Sequence, residues 1–112
     1  MIIDTQNAAH YTWGEVCDGW HLVKSPEISV IQERVPPGAQ EVRHTHQQAW
    51  QFFYILGGQA TFELDSVIYT LNAGQGIEVP PGKAHQLMNR ADQDLHFLVI
   101  SRPPSHGDRI LA

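Results

Sequence analysis

Residues 51–64 read Gln51-Phe52-Phe53-Tyr54-Ile55-Leu56-Gly57-Gly58-Gln59-Ala60-Thr61-Phe62-Glu63-Leu64. Two short runs of aromatic and aliphatic residues meet at a glycine pair. Such side chains fit a pleated sheet, and a glycine pair supplies the backbone freedom of a tight hairpin. In the second run Ala60, Phe62 and Leu64 fall on one face and Gln59, Thr61 and Glu63 on the other, the alternation of a sheet with one dry and one wet side. The first run is apolar on both faces, which predicts a central strand, Gln51–Leu56, covered on both sides.

The pattern extends in both directions. Pro36-Pro37-Gly38, Gly74-Gln75-Gly76, Pro80-Pro81-Gly82 and Pro103-Pro104 mark turns, and runs rich in Val, Ile, Phe, Tyr and Thr lie between them. Strands are expected at Gly19–Lys24, Glu27–Val35, Gln40–Thr45, Gln51–Leu56, Gln59–Leu64, Val67–Leu71, Gly76–Val79, His85–Asn89 and Leu95–Ser101. The best helix candidate, Asp4–His10, is short and polar. Many short strands at regular spacing make an all-β sandwich or barrel, here one domain over residues 1–112. Residues 101–112 read as a C-terminal extension or a strap across the barrel. Leu95–Ser101 is also apolar on both faces. So small a domain has difficulty covering such strands alone, and an apolar outer face predicts a homodimer.

With 12 Asp+Glu against 7 Lys+Arg in 112 residues, the formal net charge is −5. That balance argues against nucleic acid or an anionic membrane as a partner, since both need a basic patch. The single cysteine, Cys17, excludes an internal disulfide and a multi-Cys zinc cluster, and it reads as a small inert hydrophobe. Met1–His10 has neither the basic start nor the apolar run of a signal peptide, and no stretch approaches the roughly 20 apolar residues of a spanning helix. A cytoplasmic, reduced protein is the expectation.

Chemistry concentrates in two segments. His44-Thr45-His46 places two imidazoles on one strand face, because residues i and i+2 point the same way. Alone such a pair is weak, since the chain has seven His. The second segment frames His85 with a turn: Gly74-x5-Pro80-x-Gly82-x2-His85-x3-Asn89. The first, in full, is Gly38-x5-His44-x-His46-x4-Gln51, closed by Gly57 or Gly58.

This double pattern resembles the two motifs of the cupin superfamily, a jelly-roll β-barrel. Gly38, His44, His46 and the Gly57-Gly58 pair match motif one, over residues 38–57. Gly74, Pro80, Gly82, His85 and Asn89 match motif two, over residues 74–89. The resemblance implies one divalent transition metal held by His44, His46, Gln51 and His85. It departs from the common pattern at Gln51, where most of the family has Glu. A carboxamide ligates only as a neutral donor through its oxygen. A dication among three imidazoles and one carboxamide keeps its full charge, so it should favour an anionic ligand and acidify bound water, while being held less tightly. Three nitrogens and one oxygen suit Mn, Fe, Co, Ni or Zn, and not Ca or Mg.

Strand parity fills in the pocket. If Gln51 points inward, so do Phe53 and Ile55; Val42 follows His44, and Leu87 and Asn89 follow His85. Parity demands no inward Asp or Glu. A lyase branch of the superfamily that ketonises unsaturated uronates shares the three His and one Gln but uses an Asp on its last strand. The matching place here, near Val99, holds no acid. The expected function is therefore a metalloenzyme acting on a small anionic organic molecule, as a dioxygenase or an isomerase/lyase. The alternatives are a non-catalytic module that binds or senses a small ligand, and a barrel kept for assembly whose site is vestigial.

Overall fold

Stretches dense in β-branched and aromatic residues become strands, and the Gly- and Pro-containing stretches between them become turns. A computed structural model, which describes residues 1–112, contains eleven strands and no helix. They are β1 (Ala9–Trp13), β2 (Cys17–Lys24), β3 (Ser29–Val35), β4 (His44–His46), β5 (Trp50–Gly57), β6 (Gln59–Leu64), β7 (Val67–Asn72), β8 (Gly76–Val79), β9 (His85–Met88), β10 (Leu95–Arg102) and β11 (Arg109–Leu111). One sheet runs β1-β2-β3-β10-β5-β8 and the other β11-β4-β9-β6-β7. The neighbours pair antiparallel, as the all-β jelly-roll expectation requires.

The dry faces meet in one core. Phe53 and Ile55 of β5, Ala60 and Phe62 of β6, Leu87 of β9, and Leu95, Phe97 and Val99 of β10 form its centre, joined by Val35, Val79 and Cys17. Phe62 and Phe97 are fully buried, each contributing roughly 1.5–3 kcal/mol of transfer free energy. The hairpin glycines divide their duties. Gly58 sits at φ +80°, and a Cβ there would lie 2.4 Å from the Asp94 carbonyl oxygen, whereas a Cβ on Gly57 meets nothing. Gly58 is thus the residue that the turn between β5 and β6 requires.

Several expectations need correction. Asp4–His10 is not a helix: a turn over Thr5–Asn7 leads into β1, which adds an edge strand to β2. The strand expected at Gln40–Thr45 is regular only from His44, with Gln40 reduced to a single bridge to Met88. Gln51–Leu56 is not covered on both sides, since Tyr54 and Leu56 of the outer face are 37% and 43% exposed. Conversely Glu63 on β6 is buried rather than wet, because Arg43 reaches across and pairs with it. The C-terminal segment is a strap: β11 adds itself to the edge of β4.

Candidate metal centre

β4 is only three residues long, and two of them are the histidines. His44 and His46 point to the interior, both buried, and His44 stands opposite His85 in the β4–β9 ladder. The ring centroids lie 4.4 Å apart for His44 and His85, 4.8 Å for His44 and His46, and 5.6 Å for His46 and His85. One nitrogen from each ring falls within 4.8 Å of the others. Gln51 enters from the opposite sheet and is also buried.

Hydrogen bonds aim these groups. His44 Nδ1 lies 2.6 Å from the Val42 carbonyl oxygen, and His85 Nδ1 lies 3.0 Å from that of Lys83. A proton on each Nδ1 leaves Nε2 with its lone pair free, the form that ligates metals. Gln51 Nε2 donates to Ser101 Oγ at 3.0 Å, which leaves Oε1 to face another partner. His85 Nε2, His46 Nδ1 and Gln51 Oε1 are buried and have no hydrogen-bond partner. Buried polar atoms are nearly always satisfied, so three orphans of acceptor type in one cluster fit a shared cation. Burial also drives all three imidazoles toward the neutral state. His44 is pushed down to about 4, chiefly by desolvation, with the neighbouring His85, Arg109 and His46 adding to the fall. His46 and His85 are lowered mainly for the same reason.

The motif turns serve this geometry. Gly82, at φ +82°, donates its N–H to the His46 carbonyl oxygen at 2.7 Å and ties the Pro80-Pro81-Gly82 turn to β4. Asn89 is a structural brace: its Nδ2 donates to the carbonyls of Val35 and Gln93, and its Oδ1 accepts from the Ala91 N–H.

A cavity of about 450 Å³ opens beside His44, His46 and Gln51. Phe53 lines it as parity expects, and so does Val99, so the place where the uronate-acting branch carries its acid is inward-facing and apolar here. Val42 sits at the mouth, 57% exposed, because the chain is not yet a strand at that point. Ile55, Leu87 and Asn89 belong to the packed interior instead. Trp50 is on the outer face of β5, donating to Glu78 and stacking on Phe52, away from the cavity.

Residues the sequence reading missed supply the cavity's other polar groups. Glu33 lines it and accepts a hydrogen bond from the Tyr11 hydroxyl at 3.0 Å. Tyr11, Gly19 and Glu33 face one another in register across β1, β2 and β3. A Cβ on Gly19 would stand 2.2 Å from Tyr11 Cζ, so the missing side chain is the bed on which the phenol lies to reach Glu33. Enclosure pushes the Glu33 carboxyl up to about 7 against the opposing pull of the Tyr11 hydrogen bond. Glu41 rises to about 8, mainly by desolvation, although its Oε1 accepts from the Leu87 N–H. Glu33 corrects the expectation that no acid faces inward. The signal was present in Ser29-x-Ile31-x-Glu33-x-Val35, an apolar alternation interrupted by one carboxylate. Tyr11, Glu41 and Arg109 gave no such signal.

The family model for the Cupin domain matches residues 31–101, and the chain belongs to that family. The Oxalate-binding protein of Thermotoga maritima is 28% identical over 67 residues, which is 60% of this chain and 55% of that protein. The chain spans about half the length of the curated relatives it matches. Among solved structures, KdgF from Halomonas sp. superposes with a TM-score of 0.86 at 15% identity, covering 95% of this chain and 96% of its own. An RmlC-like cupin from Shewanella frigidimarina gives 0.84 at 20% identity, covering 93% and 91%. At these identities the structural likeness speaks for the fold.

Proposed function

We propose that this cupin holds one divalent transition metal through His44, His46, His85 and the Gln51 carboxamide oxygen, and presents it to a small anionic organic molecule in the adjoining cavity. The observation that carries this reading is the convergence of three imidazoles driven toward the neutral state, with buried unpartnered atoms on His46, His85 and the cavity-lining Gln51. Bound there, Mn, Fe, Co, Ni or Zn would supply Lewis acidity, and a redox-active member of that set would also supply oxygen chemistry. The chain's own residues do the rest. Phe53, Ile31 and Val99 keep the cavity floor dry, and Glu33, oriented by Tyr11, can take or give a proton near neutral pH. Glu33 lies on β3 four residues from Ser29, which shares a cross-strand row with Ser101 and Gln51. It would therefore serve the part of a ligand distant from the ion. This acid favours an isomerase/lyase over a dioxygenase.

A second reading, a module that binds its ligand without turnover, draws support from the name of the Thermotoga relative. Metal analysis of protein purified without chelator or nickel resin tests the shared core of both. One ion per chain is expected, with little left in His46→Ala; no ion in the unaltered chain sinks the proposal. Metal-loaded protein is then incubated with carboxylate and enol candidates while product and oxygen are followed. Product that vanishes in Glu33→Gln supports the isomerase/lyase, oxygen uptake supports the dioxygenase, and binding without product supports the module.

Two further proposals concern setting. The buried lone Cys17 suits a reduced cytoplasm. The outer face of β5 and β10, with Phe52, Tyr54, Leu56, Leu98 and Ile100 half-buried or exposed, suits a homodimer.

A further inference from the structure

Arg109 opens β11 and pairs with His46 of β4. Residues directly opposite in an antiparallel ladder point to the same side, so the guanidinium shares the face of a metal-ligand candidate, and it lines the cavity. It forms no ion pair. The adjacent Asp108 is engaged elsewhere: its carboxylate accepts from the backbone N–H groups of Gln47, Gln48 and Ala49 at 3.1, 2.9 and 2.9 Å. That grip pins the strap to the loop that follows His46, so Arg109 is delivered to the mouth by a fixed element. Its positive charge is felt by His44, His46 and His85, and by the Glu41 carboxyl across the cavity.

A guanidinium beside an ion that has only neutral protein ligands is a like-charge arrangement. An anion between them turns both repelling charges into attractive contacts. The planar fork of Arg matches a carboxylate with two parallel N–H···O bonds. An ion and a fork at one mouth make two separate anion-binding points. Resting on the metal reading above, we propose that Arg109 is a specificity-determining residue of this cavity, gripping the second carboxylate of a small dicarboxylate whose first carboxylate is held at the metal.

The test uses the full chain loaded with Zn, its metal content measured first, and titrates malonate and acetate calorimetrically. Malonate should bind at least about tenfold more tightly than acetate. Arg109→Gln should lower malonate affinity about 10- to 100-fold while acetate affinity falls by much less and metal content does not fall. Arg109→Lys should fall between, since it keeps the charge and loses the fork. The proposal is overturned if Arg109→Gln binds malonate as the unaltered chain does, or if the zinc-loaded chain fails to prefer malonate. If the unaltered chain takes up no zinc, the metal reading itself fails and this inference falls with it, an outcome distinct from stoichiometric zinc without selectivity.

Discussion

At position 51 a carboxamide stands where a carboxylate is common, and the difference is one unit of charge at the heart of the site. Gln51→Glu should tighten metal retention and weaken anion binding, because the added charge attracts the cation and repels the ligand. Competition with a chelator and calorimetry with malonate read the two effects; movement in the opposite sense contradicts the charge argument. Gly19 carries a different burden. Gly19→Ala would drive a methyl group into the Tyr11 ring, which lies too close to accept it. The substitution should destabilise the fold by about 1–3 kcal/mol in a denaturant melt and break the Tyr11–Glu33 hydrogen bond. Tyr11→Phe, which keeps the ring and removes only the hydroxyl, should let the Glu33 carboxyl titrate still higher, as carbon-13 NMR of labelled glutamate would register. The three histidines among the metal-ligand candidates were legible through local cues, two at i and i+2 and a third behind a Pro-x-Gly turn, whereas Gln51 was named only through the family resemblance. Glu33 was half-legible, marked by alternation but with no sign of what it would face. Tyr11 and Arg109 were not, because each reaches the cavity only through a strand pairing that links distant parts of the chain.

Elements decide how rigidly those side chains are held. β4 has three residues and would be a poor scaffold alone, but β9 flanks it on one side and β11 on the other. The strap is locked by Asp108, whose carboxylate is held below the usual range by the N–H groups of Gln48, Ala49 and Gln47. Asp108→Ala should speed hydrogen exchange of the β11 amides about tenfold or more while leaving β5 and β10 protected. Unchanged exchange in β11 would mean that the ladder to β4 suffices without the latch. The central strands were readable from alternation and turn residues. The edges were not. β1 and β11 are polar or mixed in composition, and they become strands because β2 and β4 offer open edges to pair with. The reverse happens at Gln40–Val42, where alternation suggests a strand. There the Glu41 N–H bonds to the Leu87 carbonyl and Glu41 Oε1 takes the Leu87 N–H, while Val42 turns outward.

Across the whole molecule, protonation couples the site to stability. His21, His44, His46 and His85 all have lowered values in the fold. Their contribution is present above the unfolded histidine value and is lost as pH falls toward the folded value, about 4 for His44. Glu33 and Glu41 are raised to about 7 and about 8, so theirs is full below the unfolded carboxyl value and is lost as pH rises through those figures. The metal-free chain should melt highest near about pH 6 and lose stability on either side, steeply on the acid limb where several imidazoles act together. A flat melting profile from pH 4 to 9 would contradict this. Association should appear as twice the chain mass in light scattering; a monomer at micromolar concentration would leave the apolar outer face unexplained.

The placement of the three tryptophans gives the molecule separate optical reporters. Trp13 lines the cavity, Trp50 lies on the outer sheet face with the Arg102 guanidinium 5.9 Å from its ring centre, and Trp20 stands beside His10 on the β1–β2 edge. On the proposed ligand site and dimer face, emission that changes on ligand entry would belong to Trp13, and emission that changes on dilution would belong to Trp50. A pair of single Trp→Phe variants therefore separates occupancy from assembly in one cuvette, without a label and without knowing the ligand.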